Sequence, residues 1–226
     1  MAAQTFHDRV IAEPPRSPAL RAFAEQRRLA DVVAGFDDPL DQMVALNAWV
    51  HRQFPKFGVP TLQTENAAEI LDAAAEGHTF YCAHYAIVYV AAATALGWHA
   101  RPISLRRADE PRRLSNHNVA EVWVERWGKW VMLDPTLNFV AFHRSLPLNC
   151  YELGRAWARD RADDVRLHVG PDRTERAIAD LPIVLAHHPP FGDLTLGVDT
   201  LDKLACLAFI PTNRLLGHFA DRSIET

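Results

Sequence analysis

Tyr81-Cys82-Ala83-His84-Tyr85-Ala86-Ile87-Val88-Tyr89-Val90-Ala91-Ala92-Ala93-Thr94-Ala95-Leu96 is almost uniformly apolar and rich in alanine, and Gly97 closes it. A helix that is apolar all round is one buried on all sides, so this segment predicts the central helix of a packed core. Its longest apolar run, Ala86 to Leu96, falls short of the roughly 20 residues that a membrane span needs.

Upstream, the chain carries three helix starts. Ser17-Pro18 gives an N-cap followed by proline at the first helical position and predicts a helix to about Val33, before Gly35. Asp38-Pro39 repeats the signal. Leu40, Met43, Val44, Asn47 and Val50 then follow helical spacing, with Trp49 at the edge of the buried face, up to Phe54-Pro55. Asn66 to Ala75 predicts a third helix with Ala67, Ile70, Leu71 and Ala74 on one side, stopped by Gly77.

Downstream, the period changes from helical to two. His99 to Leu105 reads as a short strand. His117 to Glu125 alternates, with Ala120, Val122 and Val124 on one face and Val119, Glu121 and Trp123 on the other, and Trp130 to Leu133 reads as its partner across a turn at Gly128. Helices followed by an antiparallel sheet predict an α+β fold. Beyond Pro135, helices are expected at Asn149 to Arg161, Asp172 to Asp180 and Val198 to Ile210. The chain is read as a single domain: an N-terminal helical segment over 1–39, a core over about 40–140, and a C-terminal extension over about 145–226, expected to be helical.

The chemistry starts at Cys82, in the first turn of the central helix. Unpaired N–H groups and the positive end of the helix dipole favour a thiolate there, and the thiolate is the reactive form of cysteine. The same N–H groups suit the oxyanion formed when a carbonyl is attacked. Cysteine is also among the most buried residue types and often only fills space, so position alone does not decide. The hairpin changes the balance. His117 opens one strand and Asp134 closes the next, and a hairpin folds its ends together. A carboxylate on one imidazole nitrogen would fix the tautomer and leave the other nitrogen to face sulfur. A turn centred on Trp127-Gly128 would set His117 opposite Asn138 and Asp134 opposite Glu121, whereas one at Glu125-Arg126 would set His117 opposite Asp134.

Three segments in order carry a resemblance. Phe80-Tyr81-Cys82-Ala83-His84-Tyr85-Ala86, followed by Ala95-Leu96-Gly97-Trp98-His99-Ala100-Arg101, resembles the cysteine motif of the transglutaminase-like superfamily. His117-Asn118-Val119-Ala120-Glu121-Val122-Trp123 is similar to its histidine motif, and Trp130-Val131-Met132-Leu133-Asp134-Pro135-Thr136 to its Asp-Pro-Thr motif. The order and the intervals of 35 and 17 residues suit compact bacterial members. The resemblance implies a papain-like α+β core with helices packed on an antiparallel sheet. It also implies a Cys82-His117-Asp134 triad performing acyl transfer through a thioester. It favours cleavage of a peptide or amide bond, with transfer to an amine (amide formation or cross-linking) and a non-catalytic binding or scaffold module as the alternatives. Phe80 stands where the family often has glycine. Gln63 and Trp49 are candidates for the second oxyanion donor, and Trp123 for a cleft wall.

Other classes find little support. The formal net charge is −4, and the basic cluster Arg106, Arg107, Arg112 and Arg113 is interrupted by Asp109 and Glu110, so no nucleic-acid partner is expected. No CxxC or HExxH pattern occurs, and Cys82 and His84 lie two apart on a helix and so diverge. No metal or other cofactor is therefore expected. The three cysteines, Cys82, Cys150 and Cys206, form no disulfide framework. With no apolar leader visible, a cytoplasmic protein acting on a peptide, protein or small amide, with no membrane partner, is the expectation.

Overall fold

The computed structural model describes residues 17–106, 116–150, 152–153, 164–177 and 208–209. Helix α1 (Pro18–Gln26) starts where Ser17 Oγ accepts the Leu20 N–H. The expected continuation to Val33 is interrupted at Arg28, whose φ is 53°, and α2 (Leu29–Val33) sets off in a new direction. Arg27 is tied to the Ala68 carbonyl and the Asp72 carboxylate while Leu29 is wholly buried, so the chain turns between the two. Helix α3 (Pro39–Arg52) is capped by Asp38 on Leu40 N–H, and α4 (Ala67–Ala75) by Asn66 on the N–H groups of Ala68 and Glu69. In each, the residues picked out by helical spacing are buried, joined by Ala45, Leu46 and Ala48 in α3 and by Ala73 in α4.

Helix α5 (Cys82–Ala95) runs through the middle, with 11 of its 14 residues buried. Tyr89, fully enclosed, donates its hydroxyl to the Met43 carbonyl and so ties α5 to α3. Phe80 enters the helix from a bridge with Phe57 and packs edge-on against Phe54 at 6.0 Å. The position where the family often has glycine is therefore a buried aromatic anchor here.

The sheet is antiparallel, in the order β7-β6-β4-β3-β2-β1-β8 with β5 on β4. Its strands are β1 (Ala100–Arg106), β2 (Asn116–Val124), β3 (Lys129–Asp134), β4 (Phe139–His143), β5 (Leu146–Pro147), β6 (Val165–Val169), β7 (Thr174–Ala177) and β8 (Ala208–Phe209). Ala120, Val122, Val124, Val131 and Leu133 pack against the helices, while Val119, Met132, Phe139, Leu148 and Leu167 form a second core on the opposite face.

The expectation of a helical extension needs correction. Residues 172–177 of the expected Asp172–Asp180 helix form a turn and strand β7, which pairs with β6. Val165 and Leu167 are buried on either side of exposed Arg166, a period of two, and Gly170 at φ 71° makes the turn. Of Asn149–Arg161, Cys150 and residues 152–153 are helical, and most of the rest lies outside the described residues. So does Val198–Ile210, apart from the strand pair Ala208–Phe209 against β1. Among the described residues no helix is long and apolar enough to cross a membrane.

Candidate active site

Helix α5 delivers Cys82 as its first residue. Side-chain oxygens cap α1, α3 and α4, whereas Tyr81, the N-cap of α5, makes no side-chain cap bond. The thiol lies beside the first residues of β2, where its Sγ accepts from Asn118 N–H at 3.4 Å and from Asn118 Nδ2 at 3.5 Å.

The hairpin register falls between the two expected pairings. Ala120 pairs with Leu133 and Trp123 with Trp130, across the short helical turn Glu125–Trp127 and Gly128 at φ 55°. Continued outward, this sets His117 opposite Thr136 and Asp134 opposite Val119. The four-residue connection accounts for the difference. The expected and observed registers differ by even steps, so each keeps the two side chains on one face. His117 and Asp134 become diagonal neighbours, within reach of long side chains. His117 Nε2 and Asp134 Oδ2 meet at 2.6 Å.

Asp134 is held on all sides. Its Oδ1 accepts the N–H groups of Thr136 and Leu137, both at 2.9 Å, leaving Oδ2 for the imidazole. Helix α3 braces the turn. Asn47 Nδ2 donates to the Asp134 carbonyl and to Asn138 Oδ1, both at 3.2 Å, and His51 Nδ1 donates to the carbonyls of Pro135 and Thr136. Asn138 itself adopts φ 57°, which asparagine tolerates better than most residues.

Cys82 is 2% exposed, His117 7% and Asp134 1%. Burial works against both charged forms, but the neighbours outweigh it. For Cys82, burial pushes the thiol up, while the hydrogen bond and charge of His117 and the two Asn118 donors bring it below the ordinary thiol value. For His117, burial pulls down, while the charge and hydrogen bond of Asp134, joined by Cys82, raise it to about 10. Both directions favour a thiolate beside an imidazolium. With Nε2 engaged by Asp134, Nδ1 is the nitrogen left for sulfur.

Trp123 is six residues along β2 from His117, roughly 20 Å at the strand rise, and packs edge-on against Trp130 at 5.7 Å. Trp49 is partly buried against the helical core, and Gln63 is exposed between α3 and α4. Among the described residues neither makes a hydrogen bond to Cys82, His117 or Asp134. His78 bonds Thr61 Oγ1, and His84 packs against the Phe80 ring at 4.8 Å. The described residues hold no cluster of three or more His, Cys, Asp or Glu groups suited to a metal. Asn47, His51 and Asn118 escaped the sequence reading. For Asn118 the signal was available: alternation puts it on the helix side of β2, one residue from the candidate base.

A cysteine at a helix start, with a histidine and an aspartate on adjacent antiparallel strands, defines an α+β protein with a thiol-imidazole-carboxylate site. Residues 26–135 match the family model of the Transglutaminase-like superfamily, over the stretch that carries the cysteine, the histidine and the aspartate. No curated protein matches the chain. Among solved structures, it is similar to a chain from Cytophaga hutchinsonii described as a "Putative Cysteine Protease", at 15% identity and a TM-score of 0.41. That match covers 54% of this chain and 40% of the other, so this chain spans well under half the length of that relative.

Proposed function

We infer that the protein is a cysteine-dependent acyl-transfer enzyme that cleaves a peptide or amide bond through a thioester, with water as acceptor. The supporting observation is the contact set at Cys82. The sulfur of a helix-start cysteine interacts with His117 and Asn118, and His117 is fixed from behind by Asp134 at 2.6 Å.

In the first half-reaction the Cys82 thiolate adds to the carbonyl carbon, and the negative charge moves to the carbonyl oxygen. The Cys82 N–H, at the N-terminus of α5, is the donor for that oxyanion. The imidazolium of His117 gives its proton to the leaving amine, the C–N bond breaks, and a thioester remains. In the second half-reaction neutral His117 takes a proton from water, the hydroxide oxygen adds to the thioester carbonyl, and the C–S bond breaks to restore the thiolate and imidazolium. Asp134 holds the ring and balances its charge. The low exposure of the pair strengthens these interactions by excluding bulk solvent.

The test is to incubate the protein with an activated acyl ester, isolate the adduct by mass spectrometry and map it. The proposal predicts a thioester on Cys82 that decays in water and is absent in Cys82→Ala. An adduct whose decay product is exclusively an amide with an added primary amine, with no free acid, would move the assignment to amine transfer. No adduct on Cys82 with any acyl donor would contradict acyl transfer altogether.

A further inference from the structure

Along β2, Trp123 N–H donates to the His99 carbonyl on the β1 side. N–H groups alternate between the two edges of a strand, so those of Asn118, Ala120, Val122 and Val124 face β3. Ala120 pairs with Leu133 and Val122 with Val131, as this requires. The next pair outward would join Asn118 to Pro135. The ladder stops before it. The β3 chain turns away at Asp134 through its bonds to Thr136 and Leu137, and the Pro135 carbonyl is taken by His51.

Asn118 N–H is thus left without a strand acceptor, and Cys82 Sγ lies 3.4 Å from it. The side chain of Asn118 belongs to the helix-facing set with Ala120 and Val122, so its Nδ2 reaches the same sulfur at 3.5 Å. An interrupted ladder therefore aims two N–H donors of one residue at the nucleophile.

We propose that Asn118 is a further catalytic residue that holds the Cys82 sulfur as a thiolate, and that the open ladder position opposite Pro135 exists to admit that sulfur. This rests on the reading of Cys82 as nucleophile and deepens it. N–H groups donated to an anion are shorter and stronger than neutral bonds, and two of them oppose the cost of burying a charged sulfur. The same bonds hold the sulfur beside the start of β2, where it also meets the hydrogen bond and charge of His117. During acyl transfer, negative charge leaves the sulfur as the C–S bond forms and returns as it breaks, so the two donors favour release of the acyl group.

The experiment measures the pH dependence of Cys82 alkylation by iodoacetamide, resolved by peptide mass spectrometry, in the full chain and in Asn118→Ala and Asn118→Asp. Thermal melting of each variant is recorded alongside. The Asp variant keeps the volume of asparagine and replaces a donor with an acceptor. Losing one charged hydrogen bond is expected to reduce the thiolate fraction about tenfold below its pKa in Asn118→Ala, and the loss should be larger in Asn118→Asp. A merely structural role would move the melting temperature and leave the pH profile in place. A depressed Cys82 pKa in the parent that neither variant moves overturns the role of Asn118 and leaves Cys82 as nucleophile. An ordinary thiol pKa in the parent overturns both.

Discussion

Cys82 and Cys150 are both buried, at 2% and 4% exposure, and each stands at the start of a helical segment, yet their neighbours drive them in opposite directions. The groups that lower the Cys82 thiol donate or are cationic: His117, the side-chain amide of Asn118 and its N–H. Around Cys150, burial raises the thiol pKa and the Glu121 carboxylate raises it further by charge and hydrogen bond, with Arg101 opposing only in part. The comparison teaches that burial and a helix start do not activate a thiol. The sign of the groups packed against it decides.

The contrast has a structural basis in β2. On the face shared by His117 and Glu121, Arg101 Nε and Nη2 both donate to Glu121 Oε2, at 2.9 and 2.6 Å, and the guanidinium stacks on Trp130 at 4.0 Å. Glu121 Oε1 accepts the Cys150 N–H at 2.8 Å. One strand thus ends in a base that supports an anionic sulfur and, four residues on, carries an anion that suppresses one.

The largest expected effect breaks the pair at its reactive member. Cys82→Ala should abolish turnover, a loss on the order of a million-fold by analogy with other nucleophile deletions, whereas Cys150→Ser should leave the rate within about twofold. Equal losses in a continuous activity assay would erase the distinction. Asp134→Asn comes next, with a fall of about 10²–10⁴ in rate and a drop in the His117 pKa from about 10, both visible in the pH-rate profile. Its acid limb should follow protonation of the Cys82 thiolate, below the ordinary thiol value. Its alkaline limb should follow loss of the His117 proton near 10.

Glu121→Leu tests the other face. Removing the carboxylate to which buried Arg101 donates twice should cost about 3–5 kcal/mol in chemical denaturation, and the double variant Arg101→Met with Glu121→Leu should recover most of it. The smallest effect is on stability against pH. A raised His117 stabilises the fold fully below its unfolded pKa of about 6.5 and ceases to do so as pH rises through about 10. A lowered Cys82 stabilises above its unfolded value and loses that contribution as pH falls through its folded value. Denaturation midpoints of the parent and of His117→Ala should therefore converge above pH of about 10.

Local signals carried the sequence reading where they were dense. Ser17, Asp38 and Asn66 marked helix starts that the structure caps with those side chains, and the apolar run after Tyr81 is the buried helix. The contact of His117 with Asp134 was legible because an even register error preserves the face. The pairing itself was not legible, since the conformation of a four-residue turn at Glu125–Gly128 is not written in its composition. The burial of Glu121 was hidden because its partner Arg101 belongs to another strand. The hairpin β6–β7 was hidden because Thr174–Ala177, fully exposed at the sheet edge, shows no apolar period.

The charge state of the imidazole facing Cys82 is the most direct test. Nitrogen-edited NMR of histidine-labelled protein should show His117 with both ring nitrogens protonated at neutral pH, losing one proton only near pH 10, and losing it at lower pH in Cys82→Ala. A neutral His117 ring at pH 7, unchanged by removal of the sulfur, would contradict the thiolate-imidazolium pair.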